Sequence, residues 1–321
     1  MIVTGGVIYY MTEYARSSGT QNYRPFALKC FGGKAGQVMS VLYDITFLLM
    51  VLCAGGLALS GEGNILLAQL KIPYFIGISA TVLVSGLLCL YGSKLLAISS
   101  KYMMYAIIAV VLLITVMSLV YGKHDISGAF ANSAANARNP GWGKAILDGL
   151  LYGCFQSTIV FNVMSVSDVL DSREETRKAI ASGYVITVVL MIAFVFTLFS
   201  YSNVYDICAE SVPVMWVLQN LGYSWLTGIY VLLMTLAVLS TTAGLANAGC
   251  ARFNNLFTFI KNVQLRRIVM TVILLGIAAL GASFGMANLM RTGTSLVGYI
   301  GIPVLVIPAF TWVRAKLKKE A

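Results

Sequence analysis

An all-α, polytopic bundle of transmembrane helices is the fold that three observations on this sequence predict. The 321 residues are 59% hydrophobic and only 11% charged, too little polar surface to cover the core of a water-soluble domain. The apolar residues fall into successive runs of about twenty, the length of helix that crosses a hydrocarbon core of about 30 Å. The basic residues stand in short clusters between those runs, so the formal charge of +10 reads as orientation by loop charge and excludes a nucleic-acid partner. The lipid bilayer is the expected environment, as a single transmembrane domain over 1–321.

Taken in order, Met1 to Thr12 is apolar, but twelve helical residues reach about 18 Å and cannot cross. It lacks the basic start and small-residue cleavage site of a signal peptide. It reads as a partial helix over 1–12 that ends near Glu13, Arg16 and Arg24 on the cytoplasmic side. Eight full spans follow at about 36–60, 73–92, 101–121, 145–167, 179–201, 223–250, 266–286 and 293–313. With the first linker inside, only Lys71, Lys123, Arg138, Lys144 and Arg291 of the 22 Lys and Arg face outward. That asymmetry predicts a multi-pass protein of the cell membrane with a cytoplasmic C-terminus.

The connections carry their own signals. Gly122 to Gly143 is long, rich in Asn, Ala and Gly, and ends in Pro140 and Trp142, which suits an ordered external loop with an aromatic anchor. Within Val204 to Leu221, the apolar VMWVLQNL is too short to cross and reads as an interfacial helix. SDVLDSREETRKA reads as helix ends with charge pairs at a cytoplasmic turn. The six cysteines form no C-x-x-C pair and have no histidine beside them, so no metal set is expected; only Cys30 and Cys208 lie clearly in loops, on opposite sides of the membrane, so no structural disulfide is expected. The lone His124 reads as a solvated surface residue.

Lys144 to Asp171 is the least regular of the long apolar segments. Tyr152, Gln156, Thr158 and Asn162 interrupt it at membrane depth, and Gly149 and Gly153 weaken the helix around them. In lipid such groups must be satisfied, so the segment either lines a cavity or uses its polar side chains as packing glue between helices. Asp44 lies at depth in the first full span. It is either functional or a charge near the headgroups that meets a cytoplasmic Lys or Arg, and Asp148 near the outer start of its own span is read the same way. Ser240, Thr241 and Thr242 precede Ala243 and Gly244; hydroxyls are hard ligands that suit Na⁺ where they converge, and they are also ordinary small residues at helix contacts. Three consecutive residues cannot share one helix face, although Ser240, Gly244 and Asn247 do. The last span holds Pro303 and Pro308, which predict a kink.

The order of these features, a broken span GLLYGCFQSTIVFNV, a charged turn DSREETRKA and a later span with STTAG, resembles the YkvI-type membrane proteins. Those proteins are a branch of the amino acid, polyamine and cation transporter superfamily with the leucine-transporter fold. The resemblance covers most of the chain through layout and short motifs. It implies a leucine-transporter-like 5+5 inverted repeat lacking the first helix and half of the second, with Lys144 to Asp171 as the sixth helix and the STTAG span as the eighth. It also implies substrate contacts at Tyr152, Gly153, Phe155, Gln156 and Ser157, and half of a sodium-like site at Thr241 and Thr242, with Ser240 beside them. Because the family's Gly-rich first helix supplies the other half of both sites, transport is expected to require a segment upstream of Met1.

The expectation is a secondary transporter of a small organic solute, an amino acid or amine. It would be coupled to Na⁺ or H⁺ by alternating access and need no cofactor beyond that ion. The alternative is a non-transporting sensor or receptor subunit on the same fold, which binds without flux. An enzyme is disfavoured, since the spans hold no His and acid cluster, activated nucleophile or metal set.

Overall fold

The computed structural model describes residues 2–20, 22–91, 93–132, 139–164, 167–253 and 257–319. Met1, Arg138, Ser165 and Val166, and the side chains of Lys94, Lys101 and Cys208, lie outside the described residues.

The chain is all-helical, with no strand among the described residues. Helix α1 (Ile2–Ser18) and the short α2 (Tyr23–Phe31) lead into α3 (Gly33–Met50), which passes through a π-helical turn (Val51–Gly55) into α4 (Gly56–Leu70). Helices α5 (Tyr74–Tyr91), α6 (Ser93–Tyr121) and the short α7 (Ile126–Asn132) follow. An interrupted span is formed by α8 (Trp142–Gln156), a 3₁₀ turn (Ser157–Ile159) and α9 (Val160–Met164). Then come α10 (Arg173–Ser200), α11 (Pro213–Leu221), α12 (Ser224–Phe253) and α13 (Val263–Ser283). The last stretch is α14 (Met286–Asn288), a π turn (Leu289–Gly293), α15 (Thr294–Gly301), two further π turns (Ile302–Val306 and Ala309–Val313) and α16 (Arg314–Lys319). Among the described residues eight helices are long and apolar enough to cross a membrane: Gly33–Leu70, Tyr74–Tyr91, Tyr102–Tyr121, Trp142–Met164, Arg173–Ser200, Ser224–Phe253, Val263–Ser283 and Met286–Lys318.

Local chemistry accounts for where several elements start and stop. Asn22 caps α2 by accepting from the Arg24 amide at 3.1 Å, and Asn262 caps α13 by accepting from Gln264 and Leu265 at 2.9 and 3.2 Å. Pro213 opens α11, where its missing N–H costs nothing, and Gly222 closes it with φ of 76°, a conformation that would strain an L side chain. Pro303 lies within the π turn Ile302–Val306 of the last span, and Pro308 immediately precedes the π turn Ala309–Val313. A wider turn relieves the clash of a proline ring with the carbonyl one turn earlier, so the helix continues through both residues.

The chain divides into two compact units. The first comprises Met1–Leu57, Lys144–Val185 and Gly244–Ala321. It contains an aromatic cluster in which Tyr14 meets Phe26 edge-on at 5.3 Å and Tyr23 meets Phe161 at 4.9 Å, with Tyr43 and Phe47 completing the contacts. Glu13 is buried and paired with Arg16 at 2.6 Å, and Arg16 also reaches the Asp171 carbonyl. In the charged turn, Lys178 pairs with Glu174 at 2.8 Å on an exposed face.

The second unit comprises Ala58–Gly143 and Ile186–Ala243. Its core gathers Ile65, Ile114, Leu226 and Tyr230 around Val214, Met215 and Leu218 of α11. The segment read as an interfacial helix therefore has one face packed into a protein core. Beside it, Tyr205 stacks on Trp216 at 4.2 Å and 10° between planes. His124 bonds the Leu119 carbonyl through Nε2 at 2.8 Å. Asp125 accepts from the Gly128 amide at 2.8 Å and from Asn203 at 2.6 Å, which holds its carboxyl below the usual carboxylate range.

Candidate functional site

The interrupted span is where the first unit departs furthest from regular helix. The α-helical bonding of α8 ends at Gln156, tightens to 3₁₀ over Ser157–Ile159, and resumes at Val160. Such a change of bonding frees backbone groups, and side chains take them up here. The Gly153 carbonyl accepts from Thr4 Oγ1 at 2.8 Å and from Ser157 Oγ at 2.9 Å, and the Phe155 carbonyl accepts from Thr158 Oγ1 at 2.7 Å. The tightened turn is thus braced at one level by hydroxyls, one of them from α1.

The residues expected to touch a solute gather at that level. Gln156 donates from Nε2 to the Tyr152 hydroxyl at 2.8 Å, and both side chains are half-buried. Phe155 is 6% exposed and packs with Cys53, Leu289 and Val297, and Tyr152 lies against the same cluster with Leu49, Leu52 and Leu57. Two π turns, Val51–Gly55 and Leu289–Gly293, therefore contribute residues to the wall that Tyr152 and Phe155 pack on. π turns concentrate at functional positions because the extra residue re-aims side chains and leaves carbonyls short of partners. On the far side, Gly298 and Gly301 of α15 sit against the backbone of α8; a Cβ at Gly301 would lie 3.0 Å from the Cys154 carbonyl. The glycines let the last span press on the interrupted one. Gly153, Ser157 and Thr158 are buried, and Asn162 is half-buried on α9.

The three hydroxyls proposed for an ion are not brought together. They sit on continuous α-helix in α12, where successive residues point about 100° apart. Thr242 is buried, with its Oγ1 2.6 Å from Ser85 Oγ on α5 and 2.7 Å from the Val238 carbonyl. Thr241 is exposed and Ser240 half-buried.

Asp44 is paired with Arg252 at the end of α12, a residue whose position in the sequence reads as an ordinary loop charge. The Arg252 guanidinium is 7% exposed and lies over the rings of Tyr23 at 5.0 Å and Phe253 at 5.5 Å. Burial, and then the negative charge of Asp44, push the Tyr23 hydroxyl above its ordinary value. Asp148 makes an exposed i,i+4 pair with Lys144 at 3.0 Å.

One buried carboxylate escapes a reading by span length. Glu62 follows the position where the first full span is expected to end, yet α4 continues to Leu70 and Glu62 is 0% exposed. Its Oε1 lies within hydrogen-bond distance of the Thr235 hydroxyl, at 2.8 Å. The signal available in the sequence is the apolar NILLAQL immediately after Gly63.

Neither a scan against protein-family models nor a search of curated proteins finds a match to this chain.

Proposed function

We propose that the protein is a secondary transporter of a small organic solute, an amino acid or amine, coupled to Na⁺ or H⁺ by alternating access. On this reading it sits in the cell membrane with its C-terminus in the cytoplasm. The observation that carries the proposal is the change from α to 3₁₀ bonding in the α8–α9 span at Ser157–Ile159, with the Tyr152–Gln156 pair at that level. Interrupted spans at mid-depth recur in transporters because their half-helix ends and unpaired carbonyls bind solutes that regular helix cannot. The likeness in layout to the YkvI-type branch of the amino acid, polyamine and cation transporter superfamily supports the same reading, and with it a leucine-transporter-like repeat.

The chemistry at this level suits a zwitterion or amine. Tyr152 and Gln156 are neutral and supply donors and acceptors, while Phe155 and Cys53 give an apolar wall. The purified protein is expected to gain thermal stability with members of a panel of amino acids and amines. Gln156→Leu is expected to weaken the binding about tenfold, the scale of one lost hydrogen bond of about 1.4 kcal/mol. Solute-dependent uptake into liposomes then separates transport from a sensor that binds without flux. No binding to any of the panel, or equal binding by Gln156→Leu and Tyr152→Phe, sinks the site.

A further inference from the structure

We propose that Glu62 is a proton-binding site whose hydrogen-bonding partner is the Thr235 hydroxyl. Glu62 is wholly buried in the second unit. Its Oε1 lies 2.8 Å from Thr235 Oγ1, and Oε2, also buried, has no hydrogen-bond partner. The same Thr235 hydroxyl lies 3.0 Å from the Val231 carbonyl one turn earlier.

A hydroxyl owns one hydrogen, and here two acceptors compete for it: a carbonyl, which can only accept, and a carboxylate, which when ionised can only accept. The arrangement asks for one more hydrogen than an ionised Glu62 supplies. With a proton on the carboxyl, Glu62 donates to Thr235, Thr235 donates to Val231, and both contacts are satisfied at their observed lengths. Without it, one contact opposes two acceptors, and a charge remains buried without a counter-ion.

Among the described residues Thr235 is the hydrogen-bond partner of Glu62, and Oε2 has none. Three residues on, Ile65 packs in a core with Tyr230 of α12 and with Ile114, Val214, Met215 and Leu218. Tyr74 of α5 gives its hydroxyl to Ser60 at 2.8 Å. Lys71 is exposed, with its Nζ on the Ala68 carbonyl, and no cation pairs with Glu62 among the described residues.

In the same unit lies a cavity of about 450 Å³ whose wall includes Gln69, Leu218, Gln219, Ser224, Thr227 and Val231. Gln69 lies seven residues beyond Glu62 on α4, two turns of the same helix. Neither Glu62 nor Thr235 is part of that wall.

That this proton drives solute movement rests on the transporter reading; that Glu62 binds a proton does not. The test is infrared difference spectroscopy of the full chain in lipid, titrated from acid to alkaline pH. A carbonyl-stretch band of a protonated carboxylic acid is expected, lost on the alkaline side and absent in Glu62→Gln, whose amide keeps the donor to Thr235. In Thr235→Val the band is expected to persist at a shifted frequency, because the acid loses its acceptor. A spectrum identical in wild type and Glu62→Gln overturns the site, as does a band that does not move in Thr235→Val. Should the band behave as expected while no solute is taken up, the proton site stands and the transporter reading falls. If uptake occurs without the band, the proton site falls alone.

Discussion

Asp44 and Arg252 show how much of this protein's polar chemistry is carried by single contacts. The pair is 23% and 7% exposed on its two sides, and the Asp44 Oδ1 and Arg252 Nε atoms have no hydrogen-bond partner. Neutralising one partner leaves the other as an uncompensated buried charge, whereas neutralising both removes the conflict. Arg252→Gln is therefore expected to destabilise the protein by about 3 kcal/mol. Asp44→Asn in the same chain is expected to restore a good part of that loss, as measured by denaturation in detergent as a double-mutant cycle. Equal or greater damage in the double variant would mean that the two side chains act separately. Asp44 is legible in the sequence because a carboxylate inside an apolar run stands out. Arg252 is not, because a basic residue at a span's end looks the same whether it meets lipid headgroups or turns inward. Glu62 escapes for a related reason: Ser60, Gly61, Glu62, Gly63 and Asn64 read as a polar exit from the membrane. Gly63 instead lies against Tyr74, where a Cβ would come within 2.9 Å of the ring, and the helix runs on past them.

At the scale of the element, the span count is legible from apolar length alone, and the irregularities inside the spans only in part. The interruption after Gln156 announces itself through polar residues and glycines at depth. The π turn at Val51–Gly55 does not, since VLCAG is unremarkable as a string. Its setting is a close approach between helices: Gly56 faces Gly281 on α13 so tightly that a Cβ at Gly56 would fall 2.8 Å from the Gly281 carbonyl carbon. Small residues let the two backbones meet, the usual means of helix packing where lipid supplies no hydrophobic drive. Gly281→Leu is expected to cost about 1–3 kcal/mol by overpacking. It would also perturb the Cys53 and Leu52 wall beneath Tyr152, so solute binding should weaken along with stability. Gly276→Leu on the same helix is the control, because nothing lies within 4 Å of its would-be Cβ. Equal losses in both variants would argue against a special contact.

For the molecule as a whole, lipid exposure and loop charge are the two properties that sequence composition reports directly. None of the most apolar part of Arg173–Ser200 is buried, against 44% of that in Trp142–Met164, so the interrupted span makes more contact with protein than its successor does. The proposed orientation has a direct test. Cysteines introduced at exposed Gly143 and Ser211 should react with a membrane-impermeant thiol reagent from outside the cell, and one at Lys316 only after the membrane is opened. The reverse pattern would invert the charge-based topology. Cys30, Cys53, Cys89, Cys154 and Cys250 are buried, and Cys208, three residues before Ser211 in the sequence, is replaced by serine in the background chain.

The Tyr205–Trp216 stack reaches further than its role in packing. Trp142, Trp225 and Trp312 are each more than half exposed, whereas Trp216 is half-buried with a tyrosine parallel to it at 4.2 Å. Two aromatic chromophores at that spacing couple optically. Trp216 stands two and three residues before Leu218 and Gln219 of the cavity wall. The unlabelled protein thus carries its own optical gauge on α11, in which circular dichroism of the aromatic bands follows the cavity wall as pH or solute changes.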